Sequence, residues 1–150
     1  WGHVFERSAQ PFDHAFFERD GFIYDTEPPS RAIVALHSLA KDVSLAALKA
    51  VHRAFYAENR DVTDREVLAD IAEELGQDRD AFLTAFDLDD NRTATQRGFD
   101  FSRSINVTGF PPLLAGDNDN GYRALTQGYQ SWEDIQPALD AYLAEPEIQV

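Results

Sequence analysis

A chain of 150 residues with a net charge of −14, 27 acidic residues against 13 basic ones and no cysteine, rules out several functions before any motif is sought. Nucleic-acid binding lacks the basic surface that phosphates require, and a membrane span lacks any run of about 18 apolar residues. Disulfides, thiolate catalysis and thiolate metal sites lack their sulfur.

The length suits one domain, or one domain with an insertion. Methionine is also absent, so a chain opening on Trp1-Gly2-His3 is expected to be processed or to belong to something longer. No signal-peptide pattern is present. The aromatic-rich opening, WGHVFERSAQPFDHAFFERDGFIYDTEPP, offers one clear helix candidate, short and beginning near Asp13. Thr26 or Glu27 precedes PPS, and proline favours a first helical turn, so a longer helix is expected there. Its stripe is Ile33, Leu36, His37 and Ala40. Ser44 is the expected N-cap of the next helix, with Leu45, Leu48, Val51, His52 and Phe55 along one face.

TDREVLADIAEELGQ carries the fullest set of helix signals. Thr63 and Glu66 match a capping box, Leu68, Ile71 and Leu75 mark the buried stripe, and Gly76 suits a left-handed terminus. Asp78 is placed to cap the following helix, which sets Phe82 and Phe86 one turn apart. NRTATQRGFDFSRSIN reads as a more polar helix in which Gly98 implies close packing or fraying. The periodicity then changes. PPLLAG, the turn DNDNG and YRALTQGY predict a β-hairpin. SWED sets Ser131 and Asp134 in a second capping pattern before a last helix through Leu139 and Leu143. Pro137 lies awkwardly inside it, and a later start at Gln136-Pro137 is the alternative. Two strands alone make a poor sheet, a second sign that a segment precedes Trp1.

The polar residues carry little chemistry by pattern. His3, His14, His37 and His52 form no HExxH pair or metal cluster, and His37 and His52 read as partly buried structural histidines. No nucleophile elbow is present. DLDDNR and DNDNGY miss the calcium-loop spacing, because position six is Arg92 in the first and glycine comes at position five in the second. Phe110-Pro111 stands out instead. A strand opening on two prolines lacks ladder donors, and a cis bond there, left open by the sequence, would hold a backbone corner facing outward.

VTGFP (Val107 to Pro111), followed by an apolar strand, a turn, a strand ending in GY and a closing helix, resembles the C-terminal part of the thioredoxin fold in DsbA-like proteins. YDTEPPSRA and HRAFYAENRDVTDREVLADIAEELG resemble the helical insertion of its cytoplasmic FrnE-type, protein-disulfide-isomerase branch. The likeness covers about residues 22–143, and the Trp1–Asp13 segment also resembles that branch. It implies an α/β fold of thioredoxin type with a large helical insertion over 13–105 and a C-terminal β-β-α part over 106–145. The first strand and the C-x-x-C helix would lie before Trp1.

By resemblance, Pro111 looks like the family's cis-proline, and Phe110 presents its backbone to a substrate peptide. Gly109 joins them in substrate binding, while Val107 and Pro112 are structural. Ser30 stands where some relatives have cysteine or histidine. The implied activity is that of a thiol-disulfide oxidoreductase or isomerase whose catalytic cysteines are missing here. The implied setting is cytoplasmic, without cofactor or metal. Its partners would be a peptide or thiol-containing protein, with glutathione as a further candidate, and neither nucleic acid nor membrane. The alternatives are a glutathione-dependent relative of the kappa-class transferases and a non-catalytic peptide-binding module.

Overall fold

The computed structural model describes residues 1–145, and the chain divides into two compact units, Trp1–Arg97 and the residues from Gly98 onward. The first unit holds α1 (Gly2–Ser8), α2 (Glu27–Leu39), α3 (Ser44–Tyr56), α4 (Arg65–Glu74) and α5 (Arg79–Asp87). α6 (Asp89–Ser104) runs from it into the second unit, which adds β1 (Pro112–Asp117), β2 (Gly121–Gln127) and α7 (Trp132–Leu143). The fold is therefore mostly helical with a two-stranded sheet, as expected for a thioredoxin-like fold bearing a helical insertion.

Four helices build the core of the first unit. Ala32, Ala35 and Leu36 of α2 meet Ala47, Val51, Ala54 and Phe55 of α3. Leu68, Ala69, Ile71 and Ala72 of α4, and Phe82, Ala85 and Phe86 of α5, complete it. Alanine recurs on every helix, which lets the backbones approach while leucine and phenylalanine fill the gaps.

The alanines also correct the expected stripe of α3. Leu45 is 82% exposed and His52 is exposed, whereas Ala47 and Ala54 are buried. The buried face is turned toward the small residues, whose weak apolar signal is outweighed in sequence by leucine. The same holds in α2, where His37 is exposed and Arg31 is buried.

Two caps differ from expectation. Ser44 does not cap α3, because a 3₁₀ turn over Lys41–Val43 already feeds the helix and Val43 takes the cap position. The Ser44 hydroxyl lies 2.7 Å from His37 Nδ1 instead. In α4 the cap is Asp64, whose carboxylate accepts from the Glu66 N–H at 2.8 Å, while Thr63 donates to Asp61. Asp64→Ala should therefore cost about 0.5–2 kcal/mol, typically about 1. Thr63→Ala should cost less, and chemical denaturation of the two variants side by side checks the ordering.

Asp78 caps α5 as expected, accepting from the Ala81 N–H at 2.8 Å. Near the start of the chain, Asp13 caps a 3₁₀ turn over His14–Glu18. α1 was not expected. It buries none of its residues, so it has no apolar period to read, and it closes on Ala9 in the left-handed region. Trp1, at its N-cap, sits among the rings of Phe12, Phe16, Phe17 and Tyr56, with centroids 4.8 to 5.5 Å away. Gly98 neither packs closely nor breaks its helix: a Cβ there would meet nothing within 4 Å, and α6 continues to Ser104.

In the second unit β1 and β2 pair antiparallel, with a bulge between Leu113 and Leu114. The DNDNG stretch is the turn. Ser131 caps α7, accepting from the Asp134 N–H at 3.3 Å and donating to its carboxylate at 2.7 Å. The helix thus starts at Trp132 and holds Pro137 inside it, so the later start is not used. Glu133, whose carbonyl loses its helical donor to that proline, is exposed.

Candidate functional site: the loop before β1

The loop begins at the end of α6. Asn106 takes a left-handed φ of 58°, its N–H bonding to the Arg103 carbonyl at 3.1 Å and that of Val107 to the Ser102 carbonyl at 3.0 Å. This pair of bonds is the Schellman arrangement, which stops a helix and turns the chain sharply. Asparagine tolerates that conformation better than most residues, a signal that apolar periodicity does not carry.

Beyond the stop, Thr108, Gly109, Phe110 and Pro111 are all exposed, Phe110 at 82%. The Phe110–Pro111 peptide bond is cis. Pro112 opens β1 opposite Gln127. Among the described residues β1 pairs only with β2.

Val107, Gly109 and Pro112 line a shallow pocket of about 170 Å³ with Leu114, Tyr122 and Thr126. Phe110 and Pro111 are not part of its wall. The five expected residues thus divide: three shape a hollow, and two stand at the exposed crest beside it. On the far side the turn is locked by Asp117, whose carboxylate accepts from the N–H groups of Asp119 at 2.9 Å and Asn120 at 2.7 Å. Those bonds, led by Asn120, hold its carboxyl below the usual carboxylate range. Sequential N–H groups reward the ionised form. The turn's contribution to stability is therefore present above the unfolded value of 3.8 and is lost as pH falls through the lower folded value.

Among the described residues no acid–base or nucleophilic set accompanies the loop. The four histidines lie in the first unit. His3 lies 3.6 Å from Glu6, His37 pairs with Ser44, His14 stacks near Phe17, and His52 packs edge-on to Tyr56. Among the described residues no group of His, Asp and Glu is arranged to hold a metal. DLDDNR ends α5 and opens α6. Among the described residues no helix is long and apolar enough to cross a membrane.

The profile of the DSBA-like thioredoxin domain matches residues 14–140. The chain belongs to the DSBA-like thioredoxin domain family. The chain is similar to a "putative protein disulfide isomerase" from Nitrosomonas europaea, at 30% identity and a TM-score of 0.90. That match covers 95% of this chain and 70% of the other. It also shares its fold with a cytosolic disulfide reductase, DsbM, from Pseudomonas aeruginosa, at 22% identity and a TM-score of 0.73, over 94% of this chain and 72% of that one. The same reductase with GSH aligns at 23% identity and a TM-score of 0.73, over 95% and 73%. No curated protein matches the chain. The 150 residues contain no cysteine.

Proposed function

We propose that this chain supplies the substrate-aligning part of a thiol-disulfide oxidoreductase of the protein-disulfide isomerase type. Residues 13–105 form the helical insertion and 106–145 the β-β-α part of the thioredoxin-like domain. Gly109, Phe110 and Pro111 contact an extended peptide, and Val107 and Pro112 hold the loop. The observation that carries the reading is the exposed Phe110, 82% open to solvent, beside an edge of β1 that no other described strand pairs. An extended peptide adds to such an edge through main-chain hydrogen bonds. The thiolate that attacks a disulfide is not among these residues, so the chain alone should bind without turnover. The reading places the protein in the cytoplasm, the compartment of the P. aeruginosa disulfide reductase.

Amide NMR of the chain, titrated with an unfolded alkylated peptide, tests this. Shifts should concentrate at residues 108–114. Methylating alternate peptide nitrogens should weaken binding by about tenfold or more, because each lost backbone hydrogen bond costs about 0.5–1.5 kcal/mol. Scattered shifts, or equal binding by the methylated peptide, would overturn the reading. The GSH complex of the P. aeruginosa protein favours a second reading, a glutathione-dependent relative of the kappa-class transferases. Glutathione that shifts the same amides and displaces the peptide would favour it. Peptide binding without turnover by the full gene product would favour a non-catalytic peptide-binding module.

A further inference from the structure

The first unit contains a pocket that peptide alignment at the loop does not use. It has a volume of about 160 Å³, and its apolar wall is formed by Phe22, Ile33, Leu48, Val51, Phe55 and Val62. An apolar cavity of about 150 Å³ accepts a benzene ring, and sites for larger organic ligands start at about 300 Å³. The space therefore suits one ring.

Its polar groups narrow the ligand further. Thr26, Ser30 and His52 also line the pocket. Thr26 is the N-cap of α2 yet makes no side-chain capping bond, and Ser30 lies one turn further along the same helix. His52 is exposed overall, yet partial desolvation by its neighbours holds the imidazole below its usual value and favours the uncharged ring.

An anion finds no welcome at this helix start. The Glu27 N–H is taken by Asp25 at 2.9 Å, Pro28 and Pro29 have none, and the Ser30 N–H bonds to the Thr26 carbonyl at 3.2 Å. The Asp25 carboxylate lines the same pocket and repels negative charge. The aromatic lining residues also pack on one another: Tyr24 meets Phe55 edge-on at 5.4 Å, and Phe55 meets Tyr56 edge-on at 4.9 Å.

We infer that this pocket binds a neutral single-ring phenol, the ring within the apolar wall and the hydroxyl bonded at the Ser30 side of the mouth. The test is methyl NMR of the full 150-residue chain, titrated separately with phenol, toluene, benzoate and benzylammonium. Phenol should give saturable shifts at the Ile33, Val51 and Val62 methyls. Ser30→Ala should weaken phenol about two- to tenfold, the loss of one hydrogen bond, and leave toluene unchanged. Leu48→Trp, at a rim position 40% exposed, should abolish phenol shifts while keeping the helical circular dichroism. The inference is overturned by the absence of saturable shifts at those methyls, by benzoate or benzylammonium binding as tightly as phenol, or by equal loss of phenol and toluene in Ser30→Ala.

Discussion

Phe82→Ala should destabilise the helical unit by about 3–5 kcal/mol, the range for deleting a buried aromatic ring. Phe82 is fully buried on α5, and its ring lies 5.7 Å from that of Phe86. The Arg31 guanidinium in turn sits 4.0 Å over the Phe86 ring. Arg31 is itself buried, held by Glu27 at 3.1 Å from its Nε and by a 3.4 Å bond from Nη1 to the Phe86 carbonyl. Removing the Phe82 ring therefore leaves more than a cavity. It frees Phe86 to move, and with it the aromatic face on which the buried guanidinium rests. A buried charge that loses its surroundings is costly, which places the expected effect toward the upper end of the range. Urea unfolding followed by circular dichroism checks this, with the midpoint falling and the slope unchanged. Phe82→Leu keeps most of the volume and should lose clearly less. A loss below about 1 kcal/mol for Phe82→Ala would mean that the helices close over the gap.

The contrast between α5 and α3 shows what the sequence makes legible. α5 carries two phenylalanines one turn apart behind an aspartate cap, and both cap and buried face are where the pattern places them. α3 buries the expected Val51 and Phe55, but also Ala47 and Ala54, whose small side chains give little periodic signal, while Leu45 is left in solvent. Close helix packing decides that rotation, and it depends on the partners rather than on the segment. α1 has no buried residue and hence no pattern at all.

The candidate site is legible in a different way. The bare residues offer only a strand that opens on two prolines, and the roles of Gly109, Phe110 and Pro111 come from the resemblance. Asn106, which turns the chain out of α6, carries a usable signal, since a residue that tolerates positive φ stands just past a helical run. The phenol-sized pocket is out of reach of any periodicity. Its walls come from Phe22 to Ile33, from Leu48 to Tyr56 and from Val62 and Thr63, segments joined only by folding.

Gly116→Ala should unpair the hairpin, whereas Gly121→Ala, an identical change in the facing strand, should leave it paired. In the register Gly116 stands opposite Tyr122 and Asp117 opposite Gly121. A Cβ on Gly116 would lie 2.0 Å from the Gly121 carbonyl oxygen and 2.9 Å from the Tyr122 Cα, with φ at 143°. Both obstacles are backbone, so no side chain can swing aside. The residue would face an unfavourable conformation and a steric collision together, on the order of 3 kcal/mol or more. At Gly121 φ is 82°, but a Cβ meets nothing within 4 Å. That variant bears only the left-handed strain, about 1–2 kcal/mol. A two-stranded hairpin is marginal by itself, so the collision at Gly116 exceeds what its pairing holds, and the strain at Gly121 need not. Hydrogen exchange separates the two. Amides of Tyr122, Ala124 and Thr126 should lose protection in Gly116→Ala and keep most of it in Gly121→Ala, with the helical unit unchanged in both. Because β1 begins at Pro112, immediately after the exposed Phe110 crest, Gly116→Ala should also abolish the peptide-induced shifts at 108–114. Retained peptide binding without a paired hairpin would show that the loop presents its backbone independently of the strand.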